Sequence, residues 1–328
     1  MGFFGRLKKE VWKVVRFVLV IGIVVSIVIT VVTYGKKVIG PDEISVIIDS
    51  DTGNEIDDLY AITLALIDPK MHVIALNSAQ WNNHPRGGDS SVYESQRINE
   101  DLLKLHDTIA TPHPLGAAEP TGYWGDTKPI PSPAADKILE EVKKLGFKKK
   151  LNVVTLGAPT NLATAIMMDS TIIPQIRWYA MALRYDDREQ VWNKNEFNVR
   201  QDLDAMDFLL NTEELETHIM TATTSRDYTF EQTETFDLLS FREPKYSYLV
   251  DRWKNLYPEN KTWIMWDVAL IHAIMNPDLV TEKEVWTPPE NFRRRVFVYT
   301  WIDADKMRRE FRTLVRKDLG DVASDYKN

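Results

Sequence analysis

Four aspartates crowd one strand-to-helix turn near the start of this 328-residue chain, in the stretch Val46-Ile47-Ile48-Asp49-Ser50-Asp51-Thr52-Gly53-Asn54-Glu55-Ile56-Asp57-Asp58. The apolar run Val46–Ile48 reads as a buried strand, and Asp49 and Asp51 leave it on the same face because strand side chains alternate. A turn at Gly53-Asn54 follows. Asp57 and Asp58 then open an apolar helix carrying Leu59, Ala61, Ile62, Leu64, Ala65 and Leu66. Neighbours on a helix diverge by about 100°, so these two acids can serve different tasks. Two carboxylates about 4 Å apart repel by on the order of 4 kcal/mol at an effective dielectric near 20. Such a cluster calls for a cation or for retained protons. Ligands that are all oxygen favour a hard dication, Ca²⁺ or Mg²⁺.

Other chemistries fit this turn less well. An EF-hand loop counted from Asp49 requires Gly where Asn54 stands and Glu where Tyr60 stands, and a helix rather than a strand before it. A phosphatase of the haloacid dehalogenase type also sets Asp-x-Asp after a first strand, with Asp49 as its working acid, but has no use for Asp57-Asp58. Simple helix capping explains one acid, not four. His84, His106, His113 and His272 lack metal-ligand spacing, no nucleophile elbow is present, and the chain has no Cys.

The stretch from Asp49 to Asp58 resembles the signature of the nucleoside hydrolases, the inosine–uridine-preferring hydrolase family, whose usual form is Asp-x-Asp-x-Gly-x-Asp-Asp. Two additional residues lie here between Gly53 and Asp57. Three later segments resemble the family in the same order: Asn152 to Ala163, with Gly157-Ala158-Pro159-Thr160-Asn161; Glu196-Phe197-Asn198 followed by Asp202-x-x-Ala205; and Trp266-Asp267-Val268-Ala269 with Asn276-Pro277. The resemblance implies a Ca²⁺ held by Asp51, Asp58, the backbone carbonyl of Thr160 and Asp267, with Asp57 as the base that activates water. It implies substrate contacts from Asp49, Asn82, Glu196 and Asn198, the last two on ribose hydroxyls. Trp266 stands where pyrimidine-accepting members carry His, and a Trp there belongs to the purine-preferring branch. Tyr123-Trp124-Gly125-Asp126 resembles a loop near the base, so Trp124 and Trp266 are expected to stack on a purine. Six residues before Glu196 the chain has Gln190 where the family has Asn.

The reaction implied is hydrolysis of the N-glycosidic bond of purine-leaning ribonucleosides. Its transition state resembles an oxocarbenium ion, so it needs a rigidly held sugar, an activated water and a neutralised leaving base. The lengthened loop and the missing His leave open a sugar-binding relative that turns its ligand over poorly. The phosphatase using Asp49 is a more distant alternative.

These residues need a scaffold. Strand-like runs at Val46–Ile48, Val73–Leu76, Val153–Leu156, Trp178–Leu183, Ile219–Ala222 and Val296–Trp301 alternate with helical patterns such as 134–145 and 246–256. That alternation predicts an α/β fold, an open and mainly parallel sheet with helices on both faces, its site at the carboxyl ends of strands. The expected organisation is a basic stub and anchor over 1–36 and one catalytic domain over 42–328.

Phe17 to Tyr34 is an uncharged, nearly continuous apolar run of 18 residues. As a helix it spans about 27 Å, enough for a bilayer core. Arg6, Lys8, Lys9, Lys13 and Arg16 precede it, which predicts a cytoplasmic amino terminus and an extracytoplasmic body. A cleaved signal peptide is the rival, although the run exceeds a usual h-region and no small-x-small site follows. The first 40 residues hold seven basic side chains and one acidic, leaving 33 basic against 47 acidic beyond them. An acidic body disfavours nucleic acid, whose binding rests on neutralising phosphates, and suits a neutral nucleoside better than a nucleotide. Arg293-Arg294-Arg295 and the basic residues of 308–316 read as solvated faces. A homo-oligomer is compatible with this composition, and Asn260-Lys261-Thr262 is a sequon with meaning only in a eukaryotic secretory route.

Overall fold

The structure, a computed structural model, describes residues 12, 43–123, 125–146, 149–240 and 243–320. The chain divides into two units, Met1–Glu43 and Ile44–Asn328, and the second carries the fold described here. Its strands in chain order are β1 (Ile44–Ser50), β2 (Met71–Ser78), β3 (Leu151–Thr155), β4 (Ile176–Met181), β5 (Arg184–Asp186), β6 (Val191–Asn193), β7 (Glu216–Met220), β8 (Thr229–Glu231), β9 (Thr262–Ile264), β10 (Val280–Trp286) and β11 (Arg295–Ile302). Seven of them form one sheet in the order β10-β11-β7-β4-β3-β1-β2. All its pairings are parallel except β10 with β11. The mainly parallel α/β sheet expected from the alternation of strands and helices is therefore present.

Alternation along β1 sorts its side chains to two cores. Val46 and Ile48 enter one hydrophobic cluster and Ile47 the other. The first cluster takes the helices Asp57–Ile67, Ser91–Leu105, Pro244–Leu256, Trp266–Met275 and Ala304–Asp318. The second takes Pro133–Lys144, Thr160–Met168 and Leu203–Asn211, so helices cover both faces. Burial on both faces is why the parallel strands read as continuous apolar runs rather than as alternating ones.

Two helices are apolar almost all round. Asp57–Ile67 and Trp266–Met275 bury nearly every residue and pack against each other. Their only acids sit in the first turn, where the free N–H groups and the positive dipole end favour negative charge. Acidic side chains are thus kept out of the helix bodies and concentrated at two adjacent, buried starts.

Chain order places the site. From β1 the chain crosses to β2 on one side, then to β3 on the other. The strand order reverses there, and ligands of open parallel sheets bind in the crevice outside the carboxyl ends at such a point. The six expected strands are present, each with bounds shifted by a few residues. Strand β10 was not among them, because Thr281 to Glu284 are all exposed at the sheet edge and carry no apolar run. The ribbons β5–β6 and β8–β9 are three-residue pairs with the same weak signal.

Among the described residues no helix is long and apolar enough to cross a membrane. The expected span Phe17–Tyr34 lies outside the described residues.

Candidate active site

A cavity of about 230 Å³ opens at the carboxyl edge of the sheet. Its wall takes Asp51 from the end of β1, Leu156 from beyond β3, Met181 from β4 and Ala222 from beyond β7. Asp57 and Asp58 enter from one helix start, Trp266 and Asp267 from the other, and Glu196, Phe197 and Asn198 from the loop and short helix after β6.

Asp57, Asp58 and Asp267 each place an oxygen so that the three lie within 4.8 Å of one another. The backbone N–H of Asp267 donates to Asp57 Oδ2 at 3.2 Å, which ties the two helix starts together. Ser50 Oγ donates to Asp58 Oδ1. Asp51 lies beside the trio on the cavity wall, and its buried Oδ2 has no hydrogen-bond partner. Gly157 makes room for it: a Cβ there would stand 2.9 Å from the Asp51 carboxyl group.

Burial is the largest cause of every shift in this cluster. It pushes Asp58 up to about 8, aided by the charge of Asp57. Asp51 and Asp267 are raised well above the carboxylate range by burial and then by the charge of Asp58. Asp57 rises only to about 6, because the Asp267 backbone N–H and other donors offset its burial. Glu196 is raised by burial and partly relieved by backbone N–H groups of its own turn, which it caps through Val199 N at 3.2 Å.

The donor set fits a hard dication. It is all oxygen, buried, densely negative, and includes an orphaned carboxylate oxygen, and no lysine or arginine forms an ion pair with Asp51, Asp57, Asp58 or Asp267 among the described residues. Without a cation such a group retains protons.

The remaining expected residues divide. Asn198 lines the cavity, but its Nδ2 donates to the carbonyls of Leu156 and Met181 at 2.6 and 2.9 Å, leaving Oδ1 to meet a ligand. Trp266 lines it as the first residue of its helix. Thr160 does not reach the wall: its hydroxyl donates to Asp202 Oδ2 at 2.8 Å, and Leu156 holds the strand-end position at the cavity instead. Asp49 sits behind the wall, fully buried, accepting from Asn77 Nδ2 at 2.5 Å. Asn82 lines a neighbouring cavity, with Nδ2 on the Ala118 carbonyl at 2.6 Å and Oδ1 accepting from Ser91. Trp124 lies outside the described residues.

Among the wall residues that carried no assignment from sequence are Glu55, Leu156, Arg184 and Arg200. Glu55 was signalled by the lengthened loop. That loop is anchored rather than loose. Ile56 is fully buried, and the Asn54 carbonyl accepts from Arg86 Nη2 at 2.7 Å and from Tyr257 Oη at 2.8 Å. Glu55 is thereby aimed into the cavity, its pKa pushed up to about 8 by burial and the charge of Asp57. No local pattern marks the two arginines.

Fold and cavity define an α/β protein with an acidic crevice at the carboxyl edge of its sheet whose carboxylates could hold a metal ion. The family model described as inosine-uridine preferring nucleoside hydrolase matches residues 46–311. A plant nucleoside hydrolase shares the fold at TM-score 0.64 and 19% identity, over 85% of this chain and 99% of that one. An inosine-guanosine nucleoside hydrolase does so at 0.65 and 19%, over 83% and 98%. A purine-preferring ribonucleoside hydrolase from Gardnerella vaginalis does so at 0.62 and 21%, over 85% and 100%. A search of curated protein sequences finds no significant match. The chain belongs to the inosine–uridine preferring nucleoside hydrolase family, and it is a hydrolase acting on N-glycosyl bonds.

Proposed function

We propose that the protein hydrolyses purine-leaning ribonucleosides to ribose and free base, with Ca²⁺ as its resident ion. The observation that carries this reading is the convergence of Asp57, Asp58 and Asp267 within 4.8 Å, on a wall shared with Glu196, Asn198 and Trp266. Asp51, Asp58 and Asp267 would hold the ion, with the Leu156 carbonyl in the place expected of Thr160. When bound, the ion orients sugar hydroxyls and lowers the pKa of water.

The chain's own residues supply the rest. Asp57 has the least raised pKa of the aspartates in the trio for which a value of about 6 or 8 applies, so it is the readiest to lose its proton and accept one from water. Glu196 and the free Oδ1 of Asn198 fix ribose hydroxyls. The Trp266 ring offers a stacking face to the base, worth about 1–3 kcal/mol. A phosphatase reading has no support in the geometry, since Asp49 lies off the cavity with Asn77 on its Oδ1.

Release of base from inosine, guanosine and uridine, with and without a chelator, tests the proposal. Purine release abolished by chelation and restored by Ca²⁺ is expected. Tight nucleoside binding with no base released would favour the sugar-binding alternative. For location we propose that 17–34 anchors the protein with 1–16 cytoplasmic, motivated by the apolar run and its basic flank. Carbonate-resistant membrane association is the expected result, and release into the soluble fraction would overturn it.

A further inference from the structure

The cavity holds a cationic pair that a neutral nucleoside does not use. Arg184 opens β5, and Arg200 lies on the short helix Phe197–Gln201 with Asn198. Both line the cavity. Both also reach Asn195, the residue just before Glu196. Arg184 Nε donates to the Asn195 carbonyl at 3.2 Å, and Arg200 Nη1 donates to Asn195 Oδ1 at 2.7 Å. Arg200 further rests its guanidinium 5.9 Å from the centre of the Phe197 ring. Among the described residues neither arginine pairs with a carboxylate, although the chain carries net charge −8 and six acids line the same cavity. Two guanidinium groups on exposed residues are thus held by neutral partners, their remaining N–H donors left to water or a ligand.

We propose that Arg184 and Arg200 receive a phosphate monoester on the exocyclic carbon of the sugar, so that the substrate class includes nucleoside 5′-monophosphates. This deepens the proposed function and rests on it for the placement of the sugar. The sugar diol faces the aspartates and the base departs from C1′. The exocyclic C5′ is the remaining branch, and the flank of Glu196 and Asn198 that would hold the sugar is the flank carrying both arginines. Guanidinium forks match phosphate oxygens and are more weakly hydrated than an ammonium, so they give up water to a phosphate more readily. The balance is that of hydrolysis: water adds its oxygen to C1′, the C1′–N bond breaks, the base nitrogen gains a proton, and ribose 5-phosphate leaves with its ester intact. The acidic body argues against polyanions at long range, but two arginines without carboxylate partners supply positive charge on this flank of the cavity.

Calorimetry of the metal-loaded full chain with ribose 5-phosphate and with ribose tests this, alongside kcat/KM for inosine 5′-monophosphate and inosine. Ribose 5-phosphate is expected to bind at least about tenfold tighter than ribose, since a charge-assisted contact contributes that much. R184M/R200M should bring that ratio, and the ratio of the two kcat/KM values, down by a similar factor. R184K/R200K, which keeps both charges, should retain part of it. Equal binding of the two sugars by the wild type, or a ratio unmoved in R184M/R200M, would overturn the assignment. Base release from neither substrate would sink the proposed function alone, and the binding ratio would still decide the anion site.

Discussion

Asp57 and Asp58 are sequence neighbours with different surroundings. Asp58 accepts from Ser50 and borders Asp267, whereas Asp57 accepts a backbone N–H from the second helix start and gives up its proton more readily. Asp57→Asn removes a proton acceptor while keeping shape, so kcat should fall by about 10²–10⁴-fold. More than a tenth of wild-type kcat in that variant would remove Asp57 from the role of base. Asp58→Asn is expected to act differently, by abolishing the rise in melting temperature on adding Ca²⁺. Trp266→Ala should cost about 1–3 kcal/mol on purine substrates and less on uridine, read as a change in the ratio of their kcat/KM values.

At the scale of elements, the site depends on close approach between the turn after β3 and the end of β1. Gly157→Ala would press a methyl group against Asp51, and overpacking of this kind costs about 1–3 kcal/mol. The expected signature is a smaller Ca²⁺-induced stabilisation in thermal melts, because the crowded side chain is one proposed to hold the ion. The helix Trp266–Met275 brings a further titration. His272 is buried against Tyr228, and burial lowers its pKa to about 3 from a usual 6.5. Between those values the unfolded chain binds a proton that the folded chain refuses, so stability rises with pH across the window. The contribution is complete above about 6.5 and is lost as pH falls toward 3. Replacing His272 by Gln should flatten that acid limb of a denaturation series, and an unchanged slope would show that other groups set it.

For the whole molecule the acidic cavity couples folding to the cation. In chelator, Asp57 and Asp58 keep protons in the folded state, with values of about 6 and 8 against a usual 3.8. The folded state then binds more protons than the unfolded one, so the contribution of these groups is present below about pH 4 and is lost as pH rises through 6 to 8. Ca²⁺ should restore stability more at pH 8 than at pH 6, and an equal gain at both would argue that no carboxylate releases a proton on binding. Much of this molecule was legible from residue order. The apolar runs of β1 to β4, β7 and β11 gave a parallel sheet because strands buried on both faces must be apolar throughout; Asp51, Asp57 and Asp58 stood out as acids crowded on one turn beside such a run, and Asp267 only through its segment's resemblance to the family. Strand β10 and the two ribbons were silent, since exposed edges carry no hydrophobic period. What only the tertiary structure decided was which side chains share the cavity: that Asp49 and Asn82 turn away into hydrogen bonds of their own, that Leu156 rather than Thr160 reaches the wall, and that Glu55, Arg184 and Arg200 face the same space. Local sequence sets which way a chain can bend and which residues must be hidden. Proximity between residues far apart in the chain follows from the crossing of strands at the switch point, and no local pattern encodes it.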